Sequence, residues 1–160
     1  MTEVVRERIT VRVPASAVYA AVSDARRMGE WSPECVGATL DDPGLPLTVG
    51  SRFTGHNRMG RWRSWTTRCT VTASVPGRCF AFDVRLGGLV STWRFDLVAA
   101  PDGSGTEVVQ SWQDRRGPGR RMIGALTSGV RDRGRHNRET MRRTLLRLKT
   151  ALESAEPPLG

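Results

Sequence analysis

Five tryptophans, four phenylalanines, three cysteines and two histidines are the side chains from which a site in this 160-residue chain must be built. On alternating strand positions Phe53, Gly55 and Asn57 share one face, and so do Trp65, Thr67, Cys69 and Val71. Phe82, Trp93 and Trp112 join them from other strands, with Met122, Asn137 and Met141 from helical segments. Such a set serves either as the wall of a pocket for a planar or lipid-like molecule or as the bulk of an ordinary core. Asn57, His56, Asp83, Gln110, Asp114 and His136 are the polar groups that would orient a ligand or move a proton. Imidazole has a suitable ordinary pKa for proton transfer. However, His56 has the opposite parity to Phe53, and His136 lies about 140° around its helix from Met141. Both histidines are therefore expected to face solvent, which leaves Asn57 as the better pocket polar group.

The known catalytic frameworks are missing. The chain has no G-x-S-x-G, H-E-x-x-H, P-loop or G-x-G-x-x-G, and two histidines do not define a nucleophilic triad. Cys35, Cys69 and Cys79 are odd in number, contain no C-x-x-C and lie far from either histidine. They read as buried free thiols, and neither a disulfide framework nor a zinc site is expected. No cofactor is expected.

The formal charge of +9 is the most suggestive number in the composition. Its distribution is uneven. Residues 115–149 hold twelve of the 25 Lys and Arg with only Asp132 and Glu139 against them, while the remainder is close to neutral. Arg115, Arg116, Arg120 and Arg121 crowd into seven residues and are the candidate contact with an anionic surface, such as a membrane. Aromatic residues that would stack on bases are missing from this segment, which counts against nucleic acid. No apolar run approaches the roughly 18 residues of a membrane span, and the first residues lack the features of a signal peptide. The expected location is cytoplasmic.

These side chains need elements to hold them. Val5, Ile9, Val11 and Val13 alternate with Arg6, Arg8, Thr10 and Arg12, the pattern of a half-buried strand ending at Pro14. Ser16 is the candidate cap of a short helix to about Ser23, and Asp24 caps a further turn reaching Trp31. Strands are predicted over Cys35–Leu40, Ser51–Arg58, Trp62–Ser74, Cys79–Leu86, Val90–Ala99 and Thr106–Asp114, separated by Gly- and Pro-rich turns. Connections this short favour antiparallel neighbours. Met122, Ile123, Leu126 and Val130 suggest a short helix weakened by Gly124 and Gly129. A long helix is predicted from about Arg131 to Ser154, with Met141, Leu145, Leu148 and Leu152 in a stripe about 60° wide and Gly134 and Asn137 extending it. Arginines occupy the opposite side. The expectation is an α+β fold in one domain, residues 1–156 with a frayed tail at 157–160, in which a seven-stranded antiparallel sheet curves around the long helix.

That order, with its local motifs, resembles the START-like (SRPBCC) helix-grip superfamily in its bacterial polyketide cyclase/dehydrase and lipid-transport branch. The resemblance rests on Val13-Pro14-Ala15-Ser16-Ala17-Val18-Tyr19, Val22-Ser23-Asp24, Trp31-Ser32-Pro33-Glu34, Val49-Gly50-Ser51-Arg52-Phe53, Val71 to Arg78, Gly105-Thr106-Glu107-Val108 and the final helix. It implies a central cavity between sheet and helix, with Trp31 at a corner bordering the entrance, as a gate or as a plug. The function it implies is binding of a hydrophobic small molecule or lipid. An enzyme of the cyclase or aromatase kind is the alternative. A third is an interaction module that docks its basic helix on an anionic membrane or RNA. A shared fold does not choose among them.

Overall fold

Alternation of apolar and polar residues commits most of this chain to strands, and the computed structural model, which describes residues 3–128, 130 and 132–155, shows how they join. Strand β1 (Val4–Val11) is followed by helix α1 (Ala15–Val22) and a short 3₁₀ helix (Ala25–Glu30). Strands β2 (Cys35–Leu40), β3 (Arg52–Met59), β4 (Arg63–Val75), β5 (Cys79–Arg85), β6 (Leu89–Ala99) and β7 (Thr106–Asp114) come next, then helices α2 (Pro118–Ser128) and α3 (Arg133–Ala155). The seven strands form one antiparallel sheet in the order β1-β7-β6-β5-β4-β3-β2. The predicted α+β fold is thus the observed one. Register shifts at Cys35/Gly37, Val71/Ala73 and Val84/Arg85 interrupt three of the ladders, and such bulges bend the strands that carry them.

Local chemistry explains where the elements begin. Pro14, not Ser16, holds the N-cap position of α1, in an extended conformation that aims its carbonyl at the Ala17 and Val18 N–H groups. The expected Ser16 cap is therefore corrected: the fixed φ of proline starts the helix two residues early. Asp24 caps the 3₁₀ helix as expected, accepting from the Arg26 N–H at 3.1 Å. α3 starts at Arg133 because the Asp132 carboxylate accepts the Arg135 N–H at 2.9 Å, a side-chain cap of the usual kind; the Arg131 start and the 157–160 tail lie outside the described residues. Gly105 allows β7 to run against β1, since a side chain there would strike the Val11 carbonyl. The neighbouring Thr106 hydroxyl then donates to the Val13 carbonyl at 2.8 Å.

α3 lies across the β1 and β7 side of the sheet. Its stripe is buried as predicted, from Gly134 and Asn137 through Met141, Leu145 and Leu148 to Leu152. Glu7, which breaks the apolar alternation of β1, points the same way as Val5 and receives Arg138 at 2.9 Å and Arg142 at 3.3 Å. Lys149 donates to the Thr10 carbonyl at 2.7 Å and pairs with Glu153 at 2.6 Å. Several of the helix's basic groups therefore grip β1 instead of standing free. Under the C-terminal half of α3 the core is continuous, joining Val11, Val18, Val22, Phe53, Phe80, Leu97, Val108, Leu145 and Leu148. A smaller cluster of Val5, Trp112 and Met141, with Trp93 against it, lies under the other half.

Candidate functional site

Between the inward row of each strand and the N-terminal half of α3 the core does not close, leaving a cavity of about 800 Å³. Strand parity selects its walls. β3 contributes Phe53, Gly55 and Asn57; β4 contributes Trp65, Thr67 and Cys69; β5 contributes Phe82; β6 and β7 contribute Ser91, Trp93, Gln110 and Trp112. Asn137, Thr140, Met141 and Thr144 face them from α3, and Trp31 and Glu34 stand at the corner. Every apolar and aromatic residue proposed for the pocket wall lines this space except Val71, which is buried in the core, and Met122. Met122 is 66% exposed, and α2 instead turns Arg120, Ile123 and Gly124 toward the cavity. Residues 120, 123 and 124 share a helix face from which 122 is displaced.

The aromatic walls are arranged in contacting pairs. Trp93 and Trp112 are register partners on β6 and β7 with ring centroids 6.5 Å apart, and Phe53 meets Phe82 edge-on at 5.4 Å. Gly55 keeps the floor low, since a Cβ there would stand 3.0 Å from the Thr67 hydroxyl. Trp31 is 1% exposed with the Arg27 guanidinium over its ring at 5.1 Å. Trp62, by contrast, is 92% exposed on the β3–β4 turn at the cavity mouth.

The polar groups are sorted less simply. Asn57 makes a long 3.4 Å contact to Thr67 across the floor. Gln110 is buried on β7, and its side-chain oxygen has no hydrogen-bond partner. Thr140 and Thr144 donate their hydroxyl hydrogens back to the helix carbonyls of His136 and Thr140, each at 2.8 Å. His56 is turned away from the cavity and bonds Thr39 at 2.8 Å, as its parity requires, and Asp83 accepts from Thr92 at 2.6 Å. His136 is a correction to the expected solvent-facing position. It is half-buried, with Nε2 3.8 Å from Glu34, which also receives Arg133 at 3.3 Å. This flank of α3 lies beside Glu34, which helical phase alone does not reveal.

The four crowded arginines are not one free basic patch. Asp114 is buried at the end of β7 and is held by Arg116 at 2.9 Å and Arg121 at 3.3 Å. Burial pushes the Asp114 carboxyl up, but the hydrogen bonds from Arg116 and the charge of Arg121 outweigh it and hold the group below the ordinary carboxylate range. Arg120 donates to the Leu86 carbonyl at 2.7 Å from its place in the cavity wall. Arg115 is exposed beside Gln113. The three cysteines are free thiols, with Cys69 and Cys79 buried and Cys35 partly so. Burial raises the Cys35 thiol and pushes Cys69 up to about 11, so Cys69 stays protonated near neutrality and is a poor nucleophile. Among the described residues no group of three or more His, Cys, Asp or Glu is placed to hold a metal, and no helix is long and apolar enough to cross a membrane.

Residues 2–153 match the family model described as "Polyketide cyclase / dehydrase and lipid transport". The chain belongs to that family. Its solved relatives include the polyketide-cyclase-like protein Cgl2372 from Corynebacterium glutamicum, 29% identical over 96% of this chain and 93% of that one, with a TM-score of 0.63. Protein CV1439 from Chromobacterium violaceum is 12% identical over 94% and 97% of the two chains, at a TM-score of 0.70. The di-domain ARO/CYC protein BexL of the BE-7585A biosynthetic pathway matches 98% of this chain with 51% of its own length, at 20% identity and a TM-score of 0.71. No curated protein matches the sequence. The cavity has a physical cause in α3, where Asn137, Thr140 and Thr144 face the sheet with side chains too short to fill the space.

Proposed function

We propose that the protein binds a hydrophobic small molecule, lipid-like or planar, in the cavity beneath the N-terminal half of α3. The observation that carries this reading is a space of about 800 Å³ walled by Phe53, Phe82, Trp93, Trp112 and Met141. Each 100 Å² of apolar ligand surface withdrawn from water contributes about 2.5 kcal/mol before the costs of association. Asn57 and Gln110 supply the few polar points that fix orientation in such sites. Binding is tested by titration with the apolar dye Nile red, following dye emission and tryptophan quenching. Saturable binding that is displaced by lipids or aromatics supports the reading. Gly55→Leu, which intrudes on the floor, should weaken it at unchanged fold.

The family's cyclase chemistry is the second reading. The titratable groups of the wall favour binding over catalysis, because Glu34 is engaged by Arg133 and the Cys69 thiol is held protonated. Turnover of a polyketide chain with a product ratio altered by Asn57→Ala would reverse that preference. A membrane is the proposed place of ligand loading. The mouth exposes Trp62, Leu86 and Ile123, with Arg61 and Arg63 on either side of Trp62 in the chain. Retention on phosphatidylglycerol vesicles, lost with salt and with Trp62→Ala, tests it.

A further inference from the structure

The two ends of the cavity have opposite hydrogen-bonding character. At the inner end Gln110 alternates with Val108 and Trp112 on the buried face of β7, 4% exposed, and its amide oxygen has no partner. Thr140 and Thr144 have spent their hydroxyl hydrogens on helix carbonyls, so toward the cavity they offer oxygen lone pairs. This end asks for a donor. At the mouth the character reverses, where Arg116 and Arg121 share the single carboxylate of Asp114 and Arg120 is bonded to a carbonyl, Leu86 O. Two guanidinium groups thus share one carboxylate, and among the described residues the charge of Arg120 is bonded to a carbonyl and to no carboxylate.

The separation of these ends follows from the strand. Gln110 and the Asp114 anchor of the arginines lie four residues apart on β7, or about 14 Å at the usual rise. Trp93, Trp112 and Met141 line the band between them. A hydrocarbon would leave the inner amide unmatched and the mouth charge unused, and a cationic amphiphile would be repelled by the arginines.

We infer that the ligand is an amphipathic acid, with its anionic group at Arg120 in the mouth and a hydroxyl or N–H donor at the far end of its apolar body, against Gln110. This rests on the binding reading above and specifies its ligand class. A rigid steroid acid has these two groups at opposite ends of an apolar body, so lithocholic acid is a suitable probe. Its methyl ester removes the charge, and cholanic acid removes the hydroxyl.

The experiment measures displacement of Nile red by the three compounds at neutral pH. Lithocholic acid should displace the dye at concentrations about tenfold lower than its ester and about fivefold lower than cholanic acid. Arg120→Gln should erase the acid–ester difference alone. Gln110→Leu should erase the hydroxyl difference alone, with Gln110→Met as the replacement if the first variant loses dye binding. Equal displacement by all three compounds, or by none of them while the dye still binds, overturns the inference and leaves the binding reading intact. Differences that persist in the two variants overturn the assignment to Arg120 and Gln110. Failure of the dye itself to bind the native protein removes the binding reading and this inference with it.

Discussion

The two halves of α3 cover the same sheet and produce opposite results. Beneath Leu145, Leu148 and Leu152 the helix and sheet interdigitate into a closed core with Phe80, Leu97 and Val108. Beneath Asn137, Thr140 and Thr144 the same sheet, with the same inward parity, leaves a cavity. The strands on the open side are, if anything, richer in large side chains, with Trp65, Trp93 and Trp112. Whether a curved sheet makes a core or a pocket is therefore decided here by the covering helix, through the reach of its side chains.

The sharpest way to break this comparison is truncation on both sides of the divide. Leu148→Ala in the closed half should cost about 2–5 kcal/mol in chemical denaturation, because the void it leaves has no room to relax. Gly105→Ala should be comparably damaging by thermal unfolding, since its φ of 145° disfavours a side chain that would also strike the Val11 carbonyl. An intermediate effect, about 1–3 kcal/mol, is expected of Asp114→Asn, which leaves Arg116 and Arg121 without their carboxylate.

Asp114 also predicts a pH dependence. Its folded-state carboxyl is held below the ordinary value, so its contribution is present above the unfolded pKa of about 3.9 and is lost as pH falls through the lower folded one. Native protein should lose urea resistance on acidification through that window more steeply than Asp114→Asn. The smallest effects belong to the open half. Asn137→Leu should change stability by less than about 1 kcal/mol in denaturant, because its bulkier apolar side chain enters open space, and by filling that space it should reduce Nile red uptake. Trp62→Ala, at an exposed turn, should fall within about 0.5 kcal/mol of the native protein.

Much of this was legible in the chain. Alternation placed Phe53, Gly55 and Asn57 on one face and Trp65, Thr67 and Cys69 on another, and the stripe from Met141 to Leu152 set the burial of α3. Both signals are periodic and local. Met122 was misplaced because α2 is apolar on more than one side and exposes Met122, Ile123 and Leu126 alike, with only Ile123 of the three bordering the cavity, so periodicity does not say which side meets it. His136 eluded helical phase because its position depends on the loop at Glu34, far away in the chain. Gln110 carried a signal in its parity with Val108 and Trp112, but not the absence of a partner for its oxygen.

The sequence by itself determined the strands, their turns, the inward faces and the amphipathic face of the last helix, because backbone sterics and side-chain periodicity act over a few residues. Only the tertiary structure decided that the open half encloses about 800 Å³ and that the crowded arginines divide among Asp114, Leu86 and solvent. Those outcomes depend on distances between groups far apart in the chain. Coulomb energy, hydrogen bonding and packing all fall steeply over a few ångströms, and no one-dimensional spacing encodes such distances.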